Sequence, residues 1–185
     1  KITSFGESVH TGARFKSGVN AITNMAVLIQ EMDRIRFPQS KNKYFDFGSK
    51  LTFSMIKGGK AVNIVPDECE TVIDVRTVPD LKKDEVLRNL NKVIKSLEVR
   101  HKGVKVKIEY LLGQKGYILS EKEPIIQSLR KAVVESTNKT PALIVHGPSH
   151  IGTLLYQKEI PVVVYGPNGG NIHSYNEFVE IDSIP

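Results

Sequence analysis

Chemistry in this chain gathers at two places. The first is the loop Gly166-Pro167-Asn168-Gly169-Gly170-Asn171-Ile172-His173-Ser174-Tyr175-Asn176-Glu177, directly after the apolar run Pro161 to Tyr165. In an open α/β sheet, ligands bind where strands end and loops begin. Glycine lets backbone approach such a ligand closely. The imidazole of His173, with the Glu177 carboxylate four residues on, suits a metal ligand. The second place runs from Gly58-Gly59 through Asn63 and Pro66 to Asp74-Val75-Arg76. The Arg76 guanidinium offers a planar fork for a carboxylate, with a local salt bridge to Asp74 as the alternative. Asn63 lies in a glycine-rich connection, where asparagine often serves only the turn. One histidine cannot hold a metal, and that shortfall bears on every functional reading.

The elements that must position these residues follow from periodicity. Residues 2–9 read as a strand. A helix is predicted from Val19 to Arg36, with Ile22, Met25, Ile29, Met32 and Ile35 at helical spacing, ended by Pro38. Lys50 to Lys57 alternates, with Leu51, Phe53 and Met55 on one face. Glu70 to Arg76 alternates too, with Thr71, Ile73 and Val75 opposite Val72, Asp74 and Arg76. A second helix starts at Pro79-Asp80, with Asp80 as N-cap and Asp84 and Glu85 near the positive end of the dipole. Its apolar stripe is Val86, Leu90, Val93 and Leu97. After a turn at Lys102-Gly103, residues 104–110 alternate as a strand wet on one side. This order, β-α-β-β-α-β, is the ferredoxin-like unit: an antiparallel sheet with both helices on one face.

Character changes after Gly113. Pro124 opens a third helix, with Ile126, Leu129 and Val133 facing inward. Ala142 to Val145 and Val162 to Tyr165 are short continuous apolar runs, which suit parallel strands buried on both faces. The fold class expected is therefore α+β: a ferredoxin-like domain over residues 1–112, then a partial α/β segment over 113–185. With no initiator methionine and no closing helix, the chain reads as a piece of a longer protein.

At 185 residues, 40% hydrophobic and 25% charged, the composition is that of a soluble globular protein. No apolar run reaches a membrane span, and no signal peptide precedes the first strand, so a cytoplasmic location without membrane association is expected. The lone Cys69 excludes an internal disulfide and a multi-cysteine zinc site. The net charge of +6 is spread among acidic residues with no like-charge block, which argues against nucleic acid.

Four segments together carry a family resemblance. They are Gly6-Glu7-Ser8-Val9-His10 with Gly18-Val19-Asn20-Ala21-Ile22; Gly58 to Pro66; Asp74-Val75-Arg76 with Pro79; and Gly166-Pro167 to Glu177. In this order and spacing they resemble the dimeric zinc deacylases and peptidases that include acetylornithine deacetylase, succinyl-diaminopimelate desuccinylase, aminoacylase and carboxypeptidase G. The resemblance implies a lid, or dimerisation, domain over residues 1–112 and the C-terminal part of a catalytic domain over 113–185. It implies a metal-dependent amidohydrolase acting on an N-acyl-amino acid or small peptide. The cofactor implied is a pair of divalent metal ions, zinc with cobalt or manganese as alternatives. The partners implied are a second copy, through the lid, and a small substrate with a free carboxylate.

Residue roles come from the same resemblance. His173 would ligate one metal, with Glu177 fixing its surroundings. His10 would reach into the partner subunit's active site and stabilise an oxyanion. Asn63 and Arg76 would contact substrate, and backbone N–H groups of Gly169 would meet its carboxylate. The remaining metal ligands and the general base belong to an N-terminal half with no counterpart here, so the chain alone is expected to be inactive. His150 stands where many relatives carry an acidic residue, while His101 and His146 read as structural or surface residues. A non-catalytic dimerisation or binding module of the same architecture is the first alternative. An RNA-binding ferredoxin-like domain is the second. It would need paired aromatics on the two central strands, where Phe53 is the only aromatic expected.

Overall fold

The computed structural model describes every residue except Asp46, Lys102, His146, Pro148, Ser149 and Pro185. Lys102 of the predicted turn, His146, and Pro148-Ser149 beside His150 thus lie outside the described residues. The chain divides into two units, Lys1–Gly113 and Gln114–Pro185.

The first unit runs β1 (Ile2–Phe5), α1 (Ala21–Asp33), β2 (Lys50–Gly58), β3 (Glu68–Arg76), α2 (Lys83–Arg100) and β4 (Lys105–Ile108). The sheet order is β2-β3-β1-β4, antiparallel throughout. This is the ferredoxin-like arrangement expected from the element order. Ile2, Cys69, Ile73, Val75, Val106 and Ile108 pack against Met25, Leu28 and Met32 of α1 and Val86, Leu90, Ile94 and Leu97 of α2. The opposite sheet face is open.

Several expectations need correction. The regular ladder of β1 stops at Phe5 rather than residue 9. Helix α1 buries Ala21, Met25, Leu28 and Met32, so its core stripe includes Leu28, while Ile22 stays 39% exposed over the Gly58-Gly59 pair. It ends at Asp33, well before Pro38. In β2 the register shifts between Phe53 and Met55, a bulge that leaves Ser54 unpaired. The extra residue flips the alternation, so Met55 turns to the open face opposite Val72 and is 67% exposed. Phe53 lies on edge strand β2 and faces the helices. The central strands β1 and β3 carry a single aromatic, Phe5, so the paired stacking platform of an RNA binder is missing among the described residues.

Asp80 does not cap α2. It accepts from Ser40 Oγ (2.5 Å) and Lys41 N–H (3.0 Å), while Lys82 occupies the cap position without a side-chain bond. Asp84 and Glu85 do sit in the first turn. Ile94 is the buried member of the stripe where Val93 is only half-buried. Tyr110 leaves the strand, and Lys83 Nζ lies 4.8 Å from its ring centroid.

Asn20 caps α1 by accepting from the N–H groups of Ile22 (3.0 Å) and Thr23 (3.1 Å). Asn20→Ala is expected to cost about 1 kcal/mol. The check is a lower urea midpoint with an unchanged denaturant slope.

The second unit holds α3 (Pro124–Thr137), α4 (Gly152–Tyr156), the hairpin strands β5 (Gly169–Gly170) and β6 (Phe178–Val179), and a short 3-10 turn over Ile181–Ser183. Ile126 and Val133 are buried on α3 as expected. Neither Ala142–Val145 nor Val162–Tyr165 forms a strand. A strand needs a ladder partner for its backbone groups, and none pairs with these runs among the described residues. Ile144 and Val164 are accordingly 84% and 55% exposed.

Candidate active site

The line of β1 continues past Phe5 as irregular pairing. Gly6 N–H donates to Asp67 O (2.8 Å), Val65 N–H to Val9 O (2.8 Å) and Thr11 N–H to Asn63 O (3.0 Å). Ser8 Oγ donates to Val65 O (3.0 Å), and His10 bridges Ile64. The segment before α1 crosses here too, as Glu7 and Val19 exchange hydrogen bonds of 2.8 and 3.1 Å. Gly6 permits the crossing. A methyl there would overlap the Val19 carbonyl oxygen and press on Pro66 O (2.9 Å) and Ala21 N (3.0 Å).

The result is that His10 and Asn63, far apart in sequence, stand on adjacent backbone. Both side chains are exposed. Nδ1 of His10 accepts from the Gly12 N–H at 3.0 Å. A neutral imidazole that accepts at Nδ1 carries its proton on Nε2. His10 therefore presents a hydrogen-bond donor outward. The Asn63 amide makes no side-chain hydrogen bond among the described residues. Lys60 ties the base of its loop to Asp67 at 3.1 Å, and that hydrogen bond lowers the Asp67 carboxyl below its ordinary pKa. A shallow depression beside the loop is lined by Thr11, Asn20, Ile22, Gly59, Lys60 and Ile64.

Arg76 is elsewhere. It ends β3 on the open face, directly opposite Lys50, with Nε and Nη2 both on Asp74 Oδ2 at 3.0 and 2.9 Å. The local ion pair foreseen as the alternative for Arg76 is thus present. Asn63 lies beyond the other end of β3, whose nine residues span roughly 26 Å. Within one copy, His10 and Asn63 come together and Arg76 stands apart from them.

Gly169 and His173 belong to the second unit. Gly169 pairs with Val179, and the Phe178 carbonyl leaves no room for a methyl. The loop between β5 and β6 is tightly wound: Asn171, His173 and Asn176 have φ of 60°, 60° and 59°. Ser174 N–H donates to Asn171 O (2.8 Å) and Asn171 Nδ2 to Asn176 O (3.1 Å). A histidine in the left-handed region is uncommon, and this backbone holds His173 exposed. Among the described residues no group of three His, Cys, Asp or Glu could hold a metal, so they do not fit a two-metal centre by themselves.

His150 has a structural setting. Its Nδ1 accepts from Gly152 N–H (3.1 Å), and its ring meets Tyr117 edge-on at 6.1 Å. Tyr117 stacks on Tyr156 at 4.4 Å and donates to Val162 O (2.9 Å). Burial pushes its phenol above the ordinary value. Cys69 is a buried free thiol whose pKa burial also raises, which makes it a core residue rather than a nucleophile. Sequence reasoning missed Gly12, whose N–H selects the His10 tautomer. The His-x-Gly spacing was the signal available.

The chain is similar to known proteins. Residues 1–102 match the family described as peptidase dimerisation domain. An uncharacterized metallohydrolase of Methanocaldococcus jannaschii is 30% identical over 130 residues, 66% of this chain and 32% of its own length. A succinyl-diaminopimelate desuccinylase of Pseudoalteromonas translucida is 23% identical over 144 residues, 77% of this chain and 36% of its own length. The crystal structure of a Staphylococcus aureus tripeptidase superposes with a TM-score of 0.72 at 21% identity, over 95% of this chain and 44% of that one. At that identity the likeness shows the fold. The chain spans about a third of the length of these curated relatives. No helix is long and apolar enough to cross a membrane among the described residues.

Proposed function

The chain belongs to the peptidase dimerisation domain family, and from that premise we propose that the full-length protein is a metal-dependent amidohydrolase working as a homodimer. It cleaves an N-acyl-amino acid or small peptide amide next to a free carboxylate. Residues 1–112 serve as the lid and 113–185 as part of the catalytic domain, with the apolar runs 142–145 and 162–165 as strands of a larger sheet. The observation that carries the reading is the bridge of His10 to Ile64, the residue after Asn63, with the His10 Nδ1 held by Gly12 so that Nε2 carries the proton. A preorganised donor of this kind stabilises the oxygen of a carbonyl under attack. Asn63, on the neighbouring backbone, is proposed as a second amide donor, and Arg76 as the group that takes the substrate carboxylate.

The separation of these groups supports a site shared between copies. A small substrate cannot touch His10 and Arg76 of one lid across the length of β3. In a two-fold dimer each site draws equivalent groups from opposite copies. One site would then use His10 and Asn63 of one subunit and Arg76 of the other.

His173 is proposed as one metal ligand, and Gly169 as a backbone donor to the substrate carboxylate. The exposed imidazole, held by a wound backbone, supports the first role. The test is the metal content and amidase activity of the full-length protein. His173→Ala is expected to lower bound zinc by about one ion per subunit, with hydrolysis of acyl-amino acids lost alongside. Unchanged metal content in the variant removes His173 from the centre. A wild-type protein that binds no divalent metal and hydrolyses no amide overturns the hydrolase reading in favour of a binding module.

A further inference from the structure

We infer that the depression beside His10 is an acyl pocket, which takes the carbonyl-side chain of the substrate amide and selects an uncharged aliphatic one. The inference rests on the hydrolase reading and narrows its substrate to amides of aliphatic carboxylic acids.

His10 and Ile64 oppose each other across the irregular pairing. Thr11 N–H donates to Asn63 O at 3.0 Å on one side of them, and Val65 N–H to Val9 O at 2.8 Å on the other. That pattern makes His10 and Ile64 a non-hydrogen-bonded antiparallel pair. Such residues lie about 4.5 Å apart at Cα, with their side chains on one face. Ile64 therefore stands beside the imidazole. It also lines the depression, together with Ile22, Val62 and Pro66. One side chain thus joins the outward donor to an apolar surface.

The floor of the depression is kept open by Gly59. Its φ is +81°, and a Cβ there would lie 3.5 Å from Ile22 Cδ1 and 3.8 Å from Pro66 Cγ. Any side chain at this position would occupy the space between those two. The volume is about 490 Å³, far more than a methyl group fills. Ile22, Val62 and Ile64 are all exposed around it. Lys60, at its edge, is paired with Asp67 at 3.1 Å, and Asn20 Oδ1 is engaged in capping α1. A carboxylate on the acyl group would find no free cation among the described lining residues.

The geometry of an amide brings its acyl chain to this surface. When the carbonyl oxygen accepts from His10 Nε2–H, the first acyl carbon lies roughly 2.4 Å from that oxygen. The chain starts next to the imidazole, and Ile64 is the apolar wall it meets. From there an aliphatic chain runs over Ile64 towards Ile22 and Val62, leaving water as it does so.

The test is turnover by the metal-loaded full-length protein of three pools: N-acetyl, N-hexanoyl and N-succinyl derivatives of one mixture of the common amino acids. The hexanoyl pool is expected to be cleaved about tenfold faster than the acetyl pool, because its longer chain is partly removed from water. Ile64→Thr and Val62→Thr should each lower that ratio severalfold, and Ile64→Val should keep it. Both side chains are exposed, so neither substitution threatens the core. Equal rates on the acetyl and hexanoyl pools, a faster succinyl pool, or a ratio that survives both threonine variants overturns the proposal. Binding is read separately, from the isoleucine methyl signals of the metal-free full-length protein titrated with hexanamide. Shifts at Ile22 and Ile64 are expected. Such shifts in a protein that cleaves none of the pools would sink the hydrolase reading alone, and their absence overturns the acyl pocket.

Discussion

A His10→Ala subunit mixed with an Arg76→Ala subunit is expected to recover activity that neither homodimer has. Loss of one preorganised donor costs about 10²- to 10³-fold in turnover, so the His10→Ala dimer should be nearly silent. The Arg76→Ala dimer should fail mainly in KM, through loss of the carboxylate fork. If each site takes His10 from one copy and Arg76 from the other, a hybrid dimer has one site lacking both groups and one site intact. Random mixing makes half of all dimers hybrid, so about a quarter of wild-type activity returns. If both groups serve a site from the same copy, every site in the mixture carries a lesion and the mixture stays silent. His10→Ala with Asn63→Ala is the control. Those residues sit on adjacent backbone of one copy, so that pair should not complement. Subunits exchanged by co-expression in the full-length protein, assayed on one acyl-amino acid, decide the matter.

Gly6→Ala is expected to produce the largest loss of stability of any single methyl added to the lid. The added carbon meets backbone from two crossing segments, Val19 and Pro66, and backbone cannot swing aside as a side-chain tip can. Overpacking of this kind costs about 3 kcal/mol, which for a domain of this size lowers Tm by roughly 10 °C or more. The same crossing leads directly to His10, so the variant should also lose turnover before it unfolds. Thermal scanning checks the first effect, and assay of the full-length protein well below the new midpoint checks the second. A variant with an unchanged Tm would mean that the crossing can open at little cost.

The strands were legible because Leu51, Phe53, Ile73 and Val75 alternate with polar residues, and the split order of elements specified the sheet order. What escaped was anything set by pairing rather than by pattern. Met55 continues a clean alternation in sequence, yet the unpaired Ser54 sends it to the other face. Ile22 and Leu28 are equally apolar, but Ile22 lies at the edge of the helical stripe that buries Ala21, Met25, Leu28 and Met32, and so stays at the rim. Asp80 looks like a cap, but the Ser40 hydroxyl, distant in sequence, claims it. Apolar runs at 142–145 and 162–165 carry strand propensity without a ladder partner among the described residues. The site follows the same rule. Motif spacing nominated His10, Asn63, Arg76, Gly169 and His173, but which of them meet depends on register. His10 and Asn63 come together because residues 6–11 and 63–67 keep pairing beyond the regular ladder, and Arg76 departs because β3 runs the other way.

Strand β1 precedes both of its partners in the chain and is completed only by the later one. Its partners are β3 on one side and β4 on the other, and the Lys1 backbone nitrogen donates to the Glu109 carbonyl, 108 residues along the chain, at 2.8 Å. During synthesis at about 5–20 residues per second, that contact waits roughly 5–20 s for its partner to be made. The β2–β3 hairpin, joined by a short loop, can close within microseconds of its own synthesis. A hairpin of this kind is then available to any other strand edge while β1 waits. The nascent lid is thus most exposed to mispairing just before β4 emerges. Folding should be slow for a domain of this length, because its decisive contacts are among its most distant in sequence.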